Sequence, residues 1–189
     1  MTYGGFEPYG GFADTDLGPA AAPWRPRWQA SLWDLLAIAG WLGVLTVAGL
    51  LLRPLLTRLA EAPMPAVDAL VLAATVLPVW TYLTVTEAGP AHASWGKRRV
   101  GLQVVCSHDG AGPGFARSAI RNAVKLAPWQ LAHFAVVRLA AGDTSATVAV
   151  TDVLSLLIPV VSLVMAWRDG RRRSLHDRIA GTTVVTRAP

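Results

Sequence analysis

At 189 residues the chain is long enough for one domain, and 53% of it is hydrophobic while only 15% is charged. Soluble domains carry about a quarter charged residues, so this composition, with a mean hydropathy of +0.41, points to a lipid bilayer. The net charge of +5 lies beside apolar runs, where it speaks for membrane orientation and anionic lipid headgroups, and no nucleic-acid partner is expected. Cys106 is the only cysteine, which rules out an intrachain disulfide and a thiolate metal cage.

Residues 1–23 are rich in Gly, Pro and Ala and contain GGF twice, a composition that predicts a disordered tail. They lack the basic start and apolar stretch of a signal peptide, so the first apolar run is expected to act as its own insertion signal. That run opens at WRPRWQASLWDLL, with Arg25, Arg27, Trp24 and Trp28 as interface anchors. A first span is expected over about 32–52, with Asp34 just inside its start. A second follows over about 66–85, kinked at Pro78 and closed by Glu87-Ala88-Gly89-Pro90. After the basic flank Lys97-Arg98-Arg99, the residues Val100, Leu102, Val104 and Cys106 alternate with Gly101, Gln103 and Val105. Asp109-Gly110 is a turn signal, so a short strand is expected there, paired with residues 181–185. A third apolar helix covers 118–140 and holds Arg121, Lys125 and His133. The fourth covers 148–167, and the basic tail 168–189 follows it. About twenty residues at 1.5 Å each cross the roughly 30 Å of a bilayer's hydrocarbon.

Segment 118–140 has two readings, a crossing helix or one lying in the interface with its bases toward headgroups. The flank 97–99 and the arginines of 168–178 both favour the cytoplasm, and a crossing at 118–140 lets both lie there. It puts 13 of the 17 Lys/Arg inside, with Arg53, Arg58 and Arg138 outside and Lys125 within the span. The expected fold is therefore an all-α membrane protein in which residues 24–187 form four transmembrane helices. A short cytoplasmic β-hairpin or strand pair accompanies them, and both termini lie inside a bacterial cytoplasmic membrane.

An isolated Asp or Lys at a helix centre costs about 2.5–3.5 kcal/mol on insertion scales, so such groups persist when paired or when they line a wet path. Depth places Asp34 near Arg121 and Lys125 in an inner layer, and His133 near Asp152 in an outer one. Three readings follow: static pairs that lock helix packing, a proton or ion relay between layers with His133 as the switchable member, or Asp34 and Lys125 simply snorkelling to headgroups. Pro78, Pro128 and Pro159 each free a backbone carbonyl inside a span, either as a harmless kink or as an ion ligand. Ser174, His176 and Asp177 are sequence neighbours and are read as a tail turn, not as catalytic residues. The histidines lack metal-ligand spacing, and neither metal nor cofactor is expected.

These segments resemble the RDD family of bacterial membrane proteins, named for one arginine and two aspartates. PRWQASLWDLL is similar to the family's opening, with Arg27 and Asp34 at the matching places. WGKRRVGLQVV resembles the T-x-G-K-x-x-x-G-L-x-V-V segment, with Trp95 where a small residue is more usual. RNAVKLAPWQLAHF is similar to R-x-x-x-K-x-x-P-W-x-x-x-H, and RRRSLHDRIAGTTVV to the closing R-x-x-L-H-D-x-x-A-G-T-x-V-V, which puts the second aspartate at Asp177. Pro26 stands where a second arginine is frequent. The resemblance implies a membrane-embedded protein engaged in transport of an unidentified ligand, with cation–proton exchange and solute export suggested for some members. The expected function is movement of a small ion or solute, coupled to protons, by a homo-oligomer. The alternative is a scaffold or accessory subunit whose buried charges only fix helix packing.

Overall fold

The computed structural model describes residues 20–59 and 62–187. Helix α1 (Trp24–Leu51) begins well before the expected span. Pro26 lies in its first turn, where a backbone N–H has no helical partner to lose. A short α2 (Arg53–Leu59) follows where a loop was expected. Next, α3 (Met64–Val71), a π turn (Leu72–Val76) and α4 (Leu77–Ala88) run on as one 25-residue rod. Pro78 has no N–H for the Ala74 carbonyl four residues back, which is why the helix relaxes into a wider turn there. The orphaned oxygen is not left bare, because the Trp41 indole of α1 donates to it at 3.0 Å.

The basic flank forms one further helix, α5 (Trp95–Arg99), ahead of β1 (Leu102–Cys106). Then come α6 (Gly114–Ala140), α7 (Ala146–Arg168), α8 (Leu175–Ala180) and β2 (Thr182–Thr186). Gly181, at φ +64°, ends α8 in the left-handed conformation that suits glycine and turns the chain into β2. The expected strand pair is present: β1 and β2 are antiparallel, with Val104 opposite Val184. Ala21 bridges to Val185, and the Ala22 N–H donates to the Val184 carbonyl at 3.0 Å. The chain therefore joins the sheet edge before α1 begins, whereas residues 1–19 of the expected tail lie outside the described residues. Ala22, Ala30, Leu102, Val104 and Val184 form the small core that binds α1 to the sheet.

Among the described residues three helices are long and apolar enough to cross a membrane: α1, the rod Met64–Ala88, and α7. Their apolar side chains, such as Leu36, Leu50, Leu156 and Val160, stand exposed, as side chains facing lipid must in a structure without lipid. This is the pattern of a multi-pass membrane protein. The fourth expected span, 118–140, falls within α6, which at 27 residues is about 40 Å long. Its bases keep it out of the apolar set, and it packs along α7 and α4. A second core, of Val76, Val79, Leu83 and Leu126, joins α6 to the rod, with Ile38 of α1 against it.

Candidate functional site

Five charges of alternating sign run in contact through the end of the bundle that holds α5, α8 and the sheet. Lys97 of α5 donates to Glu87 at 2.7 Å. Both oxygens of Glu87, in the last turn of α4, also accept from Arg121 Nη1, at 2.9 and 2.8 Å, and Oε2 accepts from Asn122 Nδ2 at 3.1 Å. Arg121 of α6 then reaches Asp177 of α8, through Nε at 3.1 Å and Nη2 at 3.0 Å. Arg27 of α1 closes the series on the other Asp177 oxygen at 3.4 Å. Glu87 and Asp177 are fully buried and Arg121 nearly so. Arg121 suits this place because its planar fork serves two carboxylates at once.

Asp177 is also a helix cap. The Ser174 hydroxyl donates to its Oδ2 at 2.6 Å and the Ser174 N–H at 3.2 Å, a capping box at the start of α8. Burial disfavours the Asp177 carboxylate, but Arg121 foremost, with the Ser174 hydroxyl and Arg27, outweighs it and holds the pKa well below the usual range. His176 Nε2 lies 2.8 Å from the same Ser174 oxygen. The single hydroxyl proton is committed to the carboxylate, so His176 must donate to Ser174 and cannot take its proton. Burial first, then the Arg121 and Lys125 charges, outweigh the pull of Asp177 and bring His176 down to about 3. It is neutral at physiological pH.

Asp34, buried on α1, does not pair with Arg121 or Lys125 as expected. Its oxygens accept from the Ser94 hydroxyl at 2.6 Å and the Gly96 N–H at 2.8 Å. Arg121 is unavailable because two other carboxylates hold it. Gly96 is required here, since a Cβ at that position would overlap the Ala30 carbonyl oxygen of α1. Lys97 touches the same Ser94 hydroxyl at 3.3 Å, which links Asp34 to the charge series.

The expected outer layer is not formed: no hydrogen bond or ion pair joins His133 to Asp152 among the described residues. His133 Nδ1 sits 3.0 Å from the Trp129 carbonyl one turn back on its own helix, and Asp152 makes no ion pair there. The charge pairing at that end is instead Arg138 of α6 with Asp68 of α3, bidentate at 2.8 and 2.7 Å. Sequence reasoning missed Asp68, Glu87 and Lys97. Glu87 did carry a signal, since an acidic residue in the last turn of a helix opposes the helix dipole and implies a cationic partner.

Beside the charge series a cleft of about 410 Å³ opens between α1, α6, α7 and α8. Arg27, Lys97, Arg121 and Lys125 line it together with Asp34 and His176. The RDD family profile matches residues 21–181, which takes in the whole arrangement. The chain belongs to the RDD family. No curated protein and no solved structure matches it. Arg27 and Asp177, expected from the resemblance to be the arginine and second aspartate of the RDD name, meet each other, while Asp34, expected to be the first, binds α5.

Proposed function

We propose that this RDD protein crosses the cytoplasmic membrane of a bacterium four times, with both termini inside, and moves a small ion or solute in exchange for protons. The fourth crossing is α6. Its length supports this, as does the positive-inside count, which needs α6 to reconcile the basic flanks at 97–99 and 168–178. The arginines after α7 meet anionic headgroups, and two copies enclose the pathway. No chemical step, metal or cofactor belongs to this reading.

The observation that carries it is the cleft, a cationic cavity of solute size at the inner end of the helices. Lys125 lines it without an ion pair among the described residues, and an intramembrane charge without a partner marks a path or a binding site. Purified protein in liposomes with an internal pH dye tests the proposal. Proton flux driven by Na⁺, K⁺ or a small-acid gradient is expected, and it should fall to background in Lys125→Gln, a change that breaks no ion pair. Flux equal to empty vesicles under every gradient rejects transport. Cysteine placed at Arg58 should label from outside intact cells, and labelling only after lysis inverts the topology.

A second reading, a scaffold or accessory subunit, is favoured by the saturation of Glu87, Arg121 and Asp177, each of which has its partners at hydrogen-bond distance. Buried pairs so complete specify helix packing without needing to titrate.

A further inference from the structure

We infer that the cleft is a binding site for a membrane lipid carrying one negative charge on a phosphodiester head, admitted sideways from the inner leaflet. This rests on the reading of the cleft as a binding site, and it does not depend on flux.

Charge is the first argument. The residues that line the cleft, together with the carboxylates that pair with them, are Arg27, Lys97, Arg121 and Lys125 against Asp34, Glu87 and Asp177. Four positive groups face three negative ones in a largely buried place. An uncompensated buried charge is costly, and a monoanion seated beside Lys125 balances the set. A dianionic phosphate monoester would overcompensate it.

Donors are the second. Lys125 makes no ion pair among the described residues, and Arg27 Nη1 is buried with no hydrogen-bond partner. Both side chains line the cleft. The Lys125 ammonium and the Arg27 guanidinium, both on the cleft wall, match the two free oxygens of a phosphodiester.

The walls are the third. Trp24, Trp28 and Leu163 line the cleft and also an adjoining cavity of about 360 Å³, completed by Val164 and Trp167. The charged cleft therefore continues into a largely apolar cavity, which is the shape of an amphiphile and not of a free ion. Trp28 and Trp167 are largely exposed, at 55% and 76%. Tryptophans beside a run of arginines mark headgroup depth, so the opening faces the level where lipid heads reside.

Tryptophan quenching by brominated lipid tests the inference on the full-length protein in detergent micelles. Dibrominated phosphatidylglycerol is expected to quench at about tenfold or more lower mole fraction than dibrominated phosphatidylcholine. Lys125→Gln should abolish that preference and Lys125→Arg should keep it. Trp28→Phe, a change at an exposed side chain, should lower the phosphatidylglycerol-specific quenching. Equal quenching by the two lipids, or a preference that survives both Lys125→Gln and Trp28→Phe, overturns the inference. Displacement of the lipid by chain-free glycerophosphoglycerol at equal concentration also overturns it, because the ligand would then be a soluble anion. A protein that shows the preference but no flux in liposomes loses only the transport proposal.

Discussion

The two ends of the helix bundle handle charge in opposite ways. At the end holding α5, α8 and the sheet, five elements bring charged side chains into one buried, alternating series. At the other end, among the described residues, Arg138 and Asp68 form a single pair whose side chains keep 17% and 22% of their exposure. The first arrangement fixes the mutual rotation of α1, α4, α6 and α8, because each helix supplies a group that no other can replace. The second ties two helix ends and little more. Buried ion pairs are therefore concentrated at the basic end, and the remaining length of the helices meets through apolar contact and the indole bonds of Trp41 and Trp80.

Removing the centre of the series should show the contrast most strongly. Arg121→Gln leaves Glu87 and Asp177 buried with their main cation gone, a loss of about 3–5 kcal/mol that thermal unfolding in detergent would register. Adding Glu87→Gln should recover part of it, and a melt like wild type for the single variant would erase the distinction between the ends. Gly96→Ala comes next. Its methyl group meets the Ala30 carbonyl, and the overpacking should cost about 1–3 kcal/mol and loosen α1 from α5.

Acid sharpens the comparison further. His176 has its pKa lowered to about 3 in the folded protein against about 6.5 when unfolded, so between these values the unfolded chain binds the extra proton. Stability from this group is complete above the unfolded value and falls as pH drops. From pH 7 to 5 the loss should be on the order of 1–2 kcal/mol, and His176→Gln should flatten the slope. Asp177 adds to the loss only below about pH 4, where the unfolded carboxylate takes up a proton that the depressed native one does not. The smallest change is expected for Arg138→Gln, a melting shift well under that of Arg121→Gln in the same detergent. A larger one would mean that the Arg138–Asp68 pair organises the bundle as much as the Arg121 series does.

Much of the fold was legible because apolar runs of bilayer length and a period-two strand are strong signals. The Gly-Thr-Thr-Val-Val segment pairs with Leu102–Cys106 as its pattern suggested. The identity of the charged partners was not legible, and α1 shows why. Its apolar residues occur on every face, so nothing in its pattern says which way Asp34 points. Arg121 stood out as a charge inside an apolar helix and Asp177 as part of a tail turn, yet their meeting depends on α8, a helix too short to announce itself. Glu87 read as the close of a span because the turn Gly89-Pro90 follows it so closely. His133 and Asp152 were matched on depth alone, and depth does not fix the rotation of a helix about its axis.

The indole of Trp41 has a consequence for any movement of this protein. It caps an oxygen that Pro78 strips of its usual donor, on a rod long and apolar enough to cross a membrane, where such an oxygen needs a partner within the protein. Were the first two crossing helices to slide past each other, that oxygen would lie naked in oil. The bond thus ties α1 to the rod at that level, while the cleft lies between α1, α6, α7 and α8.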